Sequence, residues 1–260
     1  MALLAMACWD TDDNKRSSMT DECLHSLSKT VALGKGGSHR LIVFNNGSCF
    51  KTFEVLKKWE NRLTRMSVIH SRENIGQAAA INRAWSHRKP GESLCRFDND
   101  VQFKTTGWLE DLEEVIRRDP LIGIAALKHA DLPDCPEAEG WAKTEYRTLS
   151  HRKGERHMIV EIINHCLGAV QLINPELFDQ IGYLKQFGKW GGEDYDYAVR
   201  CSLAGFRSVY AHVGYFNDLD KDKVEAYQEW KNAEAASHQD EMDRVVAEYR
   251  NGSRPLYCEA

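Results

Sequence analysis

The chain lacks the features that define several classes of protein. No apolar run in its 260 residues approaches the roughly 18 residues that a membrane-spanning helix needs. Its 6 prolines and 18 glycines are too few for a fibrous or low-complexity protein. With 34 Lys and Arg against 39 Asp and Glu, the net charge of -5 gives no protein-wide basic field for nucleic acid or anionic lipid. We therefore expect a folded protein outside the membrane, with any basic surface confined to a local patch.

Signals for secretion and for disulfide or zinc-binding frameworks are also missing. The apolar residues 1–8 have no basic region before them, and Trp9 and Asp10 follow at once, so we interpret the segment as a buried strand. The 8 cysteines form no CxxC pair and no zinc-finger spacing. Free, mostly buried thiols are typical of a reducing compartment, which predicts a cytoplasmic protein.

Apolar runs alternate with segments of helical periodicity, a pattern typical of βα units on a mainly parallel sheet. Strands are predicted at 3–8, 41–44, 67–69, 93–97, 122–127, 158–163, 169–173 and 208–213. Helices are predicted after an N-cap at Thr20 and at 53–63, 78–85, 108–116, 175–181 and 193–204, with a polar helical tail at 224–249. Between 128 and 157, proline, glycine and charge replace this pattern and predict a long irregular excursion.

Polar clusters follow three successive predicted strands. They are Asn45–Ser48, Arg72–Gln77 and Asp98–Asp100. Ligands of parallel sheets collect at the carboxyl ends of the strands. Two carboxylates separated by one residue can address a hard divalent cation, one directly and one through water or a sugar hydroxyl. Taken alone, this pattern is weak, and a charged turn after a strand explains Asp98 and Asp100 better.

A second acidic pair, Glu193 and Asp194, begins a predicted helix after Trp190 and two glycines. Glycines at 191 and 192 allow the backbone to approach a ligand closely. One of the two acids is a candidate general base. The alternative is that both acids only interact favourably with the positive end of the helix dipole.

The order of these motifs resembles the family-2 glycosyltransferases of the GT-A fold. The resemblance runs from about residue 3 to 215 and rests on Asn45-Asn-Gly-Ser48, Glu73-Asn-Ile-Gly76 with Asn82, Phe97-Asp-Asn-Asp100, and Gly191-Gly-Glu-Asp194 with Arg200 and Gly205. It implies an α/β, Rossmann-like GT-A domain over residues 1–220, with a mainly parallel central sheet flanked by helices. Within this domain, the donor-binding half is about 1–127 and the acceptor half about 128–220. Residues 221–260 are then a C-terminal helical extension.

The resemblance implies an inverting transfer of a sugar from a nucleotide diphosphate donor, with a divalent cation, Mn²⁺ or Mg²⁺, bridging the donor and the DxD motif. Asp98 and Asp100 are the implied metal-binding residues, with Asp100 as the direct ligand. The implied donor-binding residues are Trp9, Thr11, Asn45, Arg72, Asn74, Gly76, Asn82, Asp98 and Asn99. A bound cation would stabilise the charge that gathers on the departing nucleotide.

On the acceptor side, the resemblance implies that Asp194 takes the proton of the attacking hydroxyl and that Glu193 orients the acceptor. Trp190 and Gly192 join Glu193 as candidate acceptor-binding residues. Trp190 is equally consistent with a core position. The acceptor itself is unspecified, and a saccharide, a lipid-linked glycan, a protein or a modified nucleic acid fits equally well.

Two positions depart from the family pattern. Asn45 stands where the family usually has an aspartate that hydrogen-bonds the base, so the nucleotide can differ. The family often supplies a late histidine as a further metal ligand, where this chain has Asn217 and Asp218. His212, five residues earlier, is the other candidate for that role. Both alternatives stay open at this stage.

The excursion contains a basic stretch, Lys143–His157, in which Arg147, Arg152, Lys153 and Arg156 surround two glutamates, with Trp141 nearby. A phosphate-bearing acceptor and a solvated loop both explain it. Two rival functions are a nucleotide-sugar-binding module without transferase activity and a nucleotidyltransferase. Intact acidic motifs disfavour the first, and Asp10–Asn14 lacks the glycine-rich basic phosphate loop of the second.

Overall fold

A computed structural model describes residues 1–130, 145–149, 156–220 and 224–260. The strands are β1 (Ala2–Cys8), β2 (Arg40–Asn46), β3 (Met66–Ser71), β4 (Ser93–Asp98), β5 (Val101–Phe103), β6 (Ile122–His129), β7 (Glu145–Leu149), β8 (Met158–Ile163), β9 (Val170–Ile173) and β10 (Arg207–Asp218). The helices are α1 (Ser17–Thr30), α2 (Phe50–Arg62), α3 (Gln77–Trp85), α4 (Trp108–Arg118), α5 (Pro175–Ile181), α6 (Glu193–Leu203), α7 (Glu225–Ser237) and α8 (Gln239–Arg250).

The strands form one 10-stranded sheet in the order β3-β2-β1-β4-β9-β6-β10-β8-β7, with β5 paired to β10. Strands β1, β2, β3, β4, β6, β7 and β10 run in one direction, and β5, β8 and β9 run in the other. The prediction of an α/β fold with a mainly parallel central sheet is confirmed.

The position of β1 explains why the chain opens on an apolar run. Leu4 and Met6 belong to a core with α1, α2 and α4, whereas Leu3 and Ala5 belong to a second core with α3, α5 and α6. Because successive side chains of a strand point to opposite faces, a strand covered on both sides is apolar at every position. The carboxyl ends of β1, β2 and β4 meet at one edge of the sheet, where the polar clusters lie.

The start of α1 differs from the prediction. The helix begins at Ser17, and Thr20 lies inside it instead of at its N-cap. The Thr20 hydroxyl donates to Oδ2 of buried Asp10 at 2.7 Å. A buried polar group needs a hydrogen-bond partner, so Thr20 holds the loop after β1 and does not cap the helix.

The segment 128–157 is irregular only in part. β6 continues to His129, and β7 pairs antiparallel with β8 at the end of the sheet. Sequence reasoning missed both β7 and β5, because strands of three to five residues carry little periodicity. Exposed Arg156 pairs with Asp111 at 3.0 Å. Residues 131–144 and 150–155, including Trp141, Lys143, Arg152 and Lys153, lie outside the described residues.

The C-terminal segment contains two helices that pack differently. α8 buries Val245, Val246 and Tyr249, whereas α7 buries none of its side chains fully. Among the helices in the described ranges, none has both the length and the apolar character needed to cross a membrane. The cysteines in those ranges are all free thiols.

Candidate functional site

β4 carries Asp98 to the edge of the sheet, where the chain turns directly into β5. The middle residue of the turn, Asn99, is buried, and its amide donates to Asp10 Oδ1 at 2.7 Å. Its Oδ1 accepts from Arg16 Nη2 at 3.1 Å. This anchored residue fixes the turn, and Asp98 and Asp100 on either side of it line the same cavity.

The two aspartates of this turn have different partners. Asp98 Oδ1 accepts from Gln77 Nε2 at 3.1 Å, and Asp100 Oδ2 accepts from Arg16 Nη2. Burial and the neighbouring Asp100 raise the pKa of Asp98 to about 7, although the positive charge of Arg96 opposes them. Asp98 and Asp100 therefore repel one another when both are ionised.

Arg16, just before α1, ties the turn to a later part of the chain. Its guanidinium also donates to Asp220 Oδ2 at 2.9 Å, and Arg16 is only 3% exposed. The backbone amide of Leu219 donates to the carbonyl oxygen of Asp100 at 2.8 Å. A buried arginine needs charged partners, and here Asp100 and Asp220 share one positive charge.

The structure places the two candidates for a late metal ligand in different regions. His212 Nε2 lies 3.7 Å from Glu161 Oε2, in a separate cleft that His212 lines together with Lys128 and His129. Asp218 lies opposite Val101 of β5, directly after the Asp98–Asp100 turn.

Asp218 turns its carboxylate to the local backbone, since its Oδ1 accepts from the amide of Asp220 at 2.7 Å. The backbone amide of Asp218 donates to His129 Nε2 at 3.0 Å. The late acid that reaches the turn through Arg16 is therefore Asp220, which sequence reasoning did not single out.

The turn fits a divalent cation by the chemistry of its donors. Carboxylate oxygens are the ligands that Mg²⁺ and Mn²⁺ prefer, and a cation at Asp98 and Asp100 would relieve their repulsion. Within the described parts of the chain, no group of three or more histidine, cysteine, aspartate or glutamate side chains is arranged to hold a metal ion. Protein ligands in those parts would thus supply only part of a coordination shell.

A cavity opens beside this turn at the ends of β1, β2 and β4. Six of the site residues predicted from the sequence line this cavity: Trp9, Asn74, Asp98, Asn99, Asp100 and Trp190. Asn46 and Gln77, from the predicted polar clusters, also line it, whereas sequence reasoning missed Arg16, Lys189 and three residues of α7. We call this space the donor cavity, after the predicted donor-binding residues in its lining.

Asn45, the predicted base-binding residue, is not part of the lining of the donor cavity. Its Nδ2 lies 3.1 Å from His70 Nδ1, and its Oδ1 accepts from the amide of Ser48 at 3.0 Å. Asn46 lines the cavity instead, and its Nδ2 donates to Asn74 Oδ1 at 2.8 Å. Neighbouring residues of a strand point to opposite faces, so only one of two adjacent asparagines can face the cavity.

Two further predicted donor residues make structural contacts. Asn82 holds Leu184 by two hydrogen bonds, accepting from its amide at 3.1 Å and donating to its carbonyl at 2.8 Å. Gly76 has a φ of +96°, and a Cβ there would collide with the side chain of Gln186. Both residues hold the loop before α6 against α3.

Thr11 and Arg72 also lie outside the lining of the donor cavity. The amide of Thr11 donates to Asn14 Oδ1 at 2.8 Å and forms a turn before α1. Arg72 is exposed after β3.

α7 covers the donor cavity with an aromatic face. Trp9 contacts Trp230 with ring centroids 4.6 Å apart, and Tyr227 stacks on Trp230 at 5.7 Å. Lys231 Nζ lies 4.7 Å from the ring centroid of Tyr227 and 5.2 Å from that of Trp190. These contacts bring the C-terminal segment to the ends of β1 and β4.

Glu193, in the second acidic pair, forms a buried ion pair. Its Oε1 accepts from Arg96 Nη2 at 2.8 Å, and the two residues are 5% and 1% exposed. Arg96 lies on β4, two residues before Asp98. The pair therefore connects the start of α6 to the strand that carries Asp98.

Asp194 lies in a hydrogen-bonding environment that stabilises its ionised form. It accepts from the backbone amides of Gly168 at 3.0 Å and Tyr195 at 2.8 Å, and His165 Nε2 lies 3.2 Å from its Oδ2. Burial acts to raise the pKa of Asp194, but contact with His165 and the charge of Arg96 outweigh it and lower the pKa to about 2. Asp194 is thus ionised at neutral pH.

The glycines before this pair serve the packing of the C-terminal helices. Gly191 and Gly192 have φ values of +90° and +85°, a backbone conformation that favours glycine. A Cβ on Gly192 would lie 3.1 Å from Met242 Sδ of α8, and a Cβ on Gly191 would lie 3.8 Å from Ala235 of α7. Trp190, just before them, lines the donor cavity.

A groove runs between α6 and α8 near Asp194. It has a volume of about 740 Å³, within the range of small-molecule sites. His165 and Tyr195 line the end near Asp194, and Asp243 and Arg250 line it further along α8. Asp194 therefore contacts one end of this groove through His165, and Glu193 beside it is linked through Arg96 to the strand that carries Asp98.

The chain belongs to glycosyl transferase family 2, whose family model matches residues 14–182, more than half of the chain. The match ends before α6, α7 and α8. No curated protein matches the chain as a relative.

Solved structures share the fold. A mannosyltransferase from Pyrobaculum calidifontis, PcManGT, in complex with GDP-Man and Mn²⁺, has a TM-score of 0.62 at 14% identity, over 87% of this chain and 59% of its own. S. aureus TarS with UDP-GlcNAc has a TM-score of 0.59 at 18% identity, over 84% of this chain and 58% of its own. GalNAc-T7 with UDP, GalNAc and Mn²⁺ has a TM-score of 0.60 at 12% identity, over 84% of this chain and 44% of its own. This chain spans less than two thirds of each.

Proposed function

We propose that the protein is a metal-dependent, inverting glycosyltransferase that moves a sugar from a nucleotide diphosphate sugar to an acceptor hydroxyl. The observation that carries this proposal is that Asp194 contacts His165 of the open groove, while Glu193 beside it pairs with Arg96 on the strand that brings Asp98 to the donor cavity. Membership of the family supports the reaction class. Similar structures solved with GDP-Man and UDP-GlcNAc support the donor class.

The donor lies in the donor cavity with its diphosphate at the Asp98–Asp100 turn. A divalent cation, Mn²⁺ or Mg²⁺, supplies charge stabilisation for the departing nucleoside diphosphate. Asp100 would hold it directly, and Asp98 would act through water or a sugar hydroxyl.

Asp194 accepts the proton of the attacking hydroxyl. The acceptor approaches from the groove, so its oxygen meets the anomeric carbon on the face opposite the diphosphate, and the configuration inverts. A carboxylate with a low pKa takes the proton late, when the forming bond has made the attacking oxygen acidic. His165 orients the carboxylate from the groove side.

The groove is the proposed acceptor site, and the proposed acceptor-binding residues are Trp190, Gly192 and Glu193 at the start of α6. Glu193 supports the site through Arg96, because the buried ion pair fixes the start of α6 relative to β4. The acceptor classes to compare there are saccharides, lipid-linked glycans, proteins and modified nucleic acids.

Donor turnover tests the proposed function. The protein is incubated with a panel of UDP-, GDP-, CDP- and ADP-sugars, with Mn²⁺ or with excess chelator, and the released nucleotide is identified. We expect one donor to release its nucleoside diphosphate only when the cation is present. Release of pyrophosphate would indicate a nucleotidyltransferase, and tight binding of a donor without release would indicate a binding module.

A further inference from the structure

One face of α7 points three side chains at the donor cavity. Tyr227, Trp230 and Lys231 are spaced as i, i+3 and i+4, which places them on the same side of a helix. All three line the donor cavity together with Asp98 and Asp100. α7 lies beyond residues 14–182 that match the family, so this wall of the cavity is additional to the matched region.

Lys231 carries a positive charge into this cavity. Its ammonium group lies over the rings of Tyr227 and Trp190, and no carboxylate among the described residues lies within ion-pair distance of it. The ammonium group is thus held near Asp98 and Asp100 by aromatic faces, which attract a cation without neutralising it.

The space under α7 is too small for a nucleotide. The donor cavity has a volume of about 60 Å³, whereas ligand sites usually have volumes of about 300–1,000 Å³. Trp9 and Trp230 both line this space and contact one another. A donor can enter only if one wall of the cavity moves.

α7 is the wall that moves at the least cost. It has no fully buried side chain and no side-chain cap at its N-terminus, whereas the strand ends and α8 are anchored in the core. Among the described residues, one hydrogen bond links α7 to the opposite loop, from the amide of Lys189 to Glu234 Oε2 at 3.0 Å. Elements with few buried contacts open at low free energy.

We propose that α7 is a lid over the donor cavity, and that its Lys231 binds the diphosphate of the donor when the lid closes. Trp9 and Trp230 then separate and offer their faces to the donor, while the Lys231 ammonium group adds positive charge beside the cation site. A lysine binds phosphate as a point charge through charge-assisted hydrogen bonds. This inference rests on the proposed function.

Calorimetric titration of the whole chain tests it. UDP, GDP, CDP and ADP are titrated with Mn²⁺, and the diphosphate that binds most tightly is compared with its nucleoside. Lys231→Met removes the charge and keeps an apolar stem of similar length. We expect the diphosphate Kd to rise about 10- to 100-fold, which corresponds to one charged hydrogen bond, while nucleoside binding stays unchanged.

Lys185→Met is the matched control, because Lys185 also lies over an aromatic ring, that of Phe187, at 5.2 Å but does not line the donor cavity. Its diphosphate Kd should equal that of wild type. An equal Kd for Lys231→Met and wild type overturns the role of Lys231. If wild type binds no diphosphate, the proposed function and this inference both fail.

Hydrogen exchange tests the lid directly. Amides of α7 should exchange more slowly in wild type when the diphosphate and Mn²⁺ are bound, and Lys231→Met should reduce this protection at equal saturation. Unchanged exchange in α7 of saturated wild type would contradict the lid.

Discussion

The molecule contains two acidic pairs that are similar in sequence and opposite in environment. At the end of β4, burial and Asp100 raise the pKa of Asp98 to about 7. At the start of α6, burial acts in the same direction on Asp194, but His165 and Arg96 outweigh it and lower the pKa to about 2. Titratable groups whose pKa values are pushed apart have different chemical roles. The first pair suits cation binding, and the second suits a carboxylate that stays ionised until it takes a proton.

The difference comes from what surrounds each pair. Asp98 and Asp100 line a cavity, and Asp100 shares its arginine partner, Arg16, with Asp220. Glu193 and Asp194 have a partner each, Arg96 and His165. The following predictions test the two environments separately, from the largest effect to the smallest.

Loss of Asp100 should remove transfer and leave the fold intact. Arg16 keeps Asp220 and Asn99 as partners in Asp100→Ala, so its charge stays paired. Without the direct cation ligand, the rate should fall by on the order of 10³-fold or more, since a cation stabilises the transition state by several kcal/mol.

The rate of donor turnover with Mn²⁺ and the thermal unfolding of Asp100→Ala check this prediction. Asp220→Asn is the matched control, because it removes the other acid beside Arg16 and should keep most of the cation binding. Full activity of Asp100→Ala would assign the cation to another place or exclude a need for it.

Replacement of Asp194 by Asn should reduce transfer by about 10²–10⁴-fold, the usual contribution of a general base. The asparagine keeps the shape, although its one oxygen can accept from only one of the amides of Gly168 and Tyr195, which bond different oxygens of Asp194. Asp194 does not line the donor cavity. Donor and Mn²⁺ should therefore bind as in wild type, as measured by calorimetric titration alongside the rate. Weaker donor binding in this variant would move Asp194 to the donor side of the site.

Glu193→Gln should affect stability more than Asp194→Asn does. The glutamine side chain still accepts a hydrogen bond but leaves the charge of buried Arg96 without its closest partner. We expect a loss of about 2 kcal/mol, or roughly 4–8 °C in Tm. A larger loss of rate in Glu193→Gln than in Asp194→Asn, with an unchanged Tm, would assign the base to Glu193 instead.

Asp98→Asn should raise stability at high pH in the absence of added cation. The pKa of Asp98 in the folded protein is about 7 and lies above that of an unfolded aspartate. The stability of wild type should therefore fall as the pH rises from the unfolded pKa to the folded pKa. The variant should exceed wild type in Tm by roughly 2–6 °C at pH 8. The difference should shrink as the pH falls towards 5, and an equal difference at both pH values would contradict the raised pKa.

Much of the fold could be predicted from the sequence because its signal is local. The apolar run of β1 and the helical periodicity of α4 specify the sheet and its covering helices without knowledge of distant contacts. The turn at Asp98 also follows from its place after a buried strand. The choice between Asn45 and Asn46 could not be predicted, since a shift of one residue reverses the face of a strand.

The rest of the site depends on contacts between distant parts of the chain. Arg16 belongs to no motif, and its role becomes visible only when α1 brings it to Asp100. The three α7 residues that line the donor cavity lie more than 125 residues after Asp98. Their periodicity predicts a helix that packs on the body of the protein, but not the place where it packs.

The configuration of the first-formed sugar tests most directly whether Asp194 and the cation site act on opposite faces of the donor. Donor hydrolysis, with water in place of the acceptor, is followed by proton NMR immediately after the enzyme and Mn²⁺ are added, before the free sugar mutarotates. We predict that the first anomer to appear has the configuration opposite to that of the donor, and that Asp194→Asn slows its appearance. First release of the anomer with the donor's own configuration would contradict the inverting geometry.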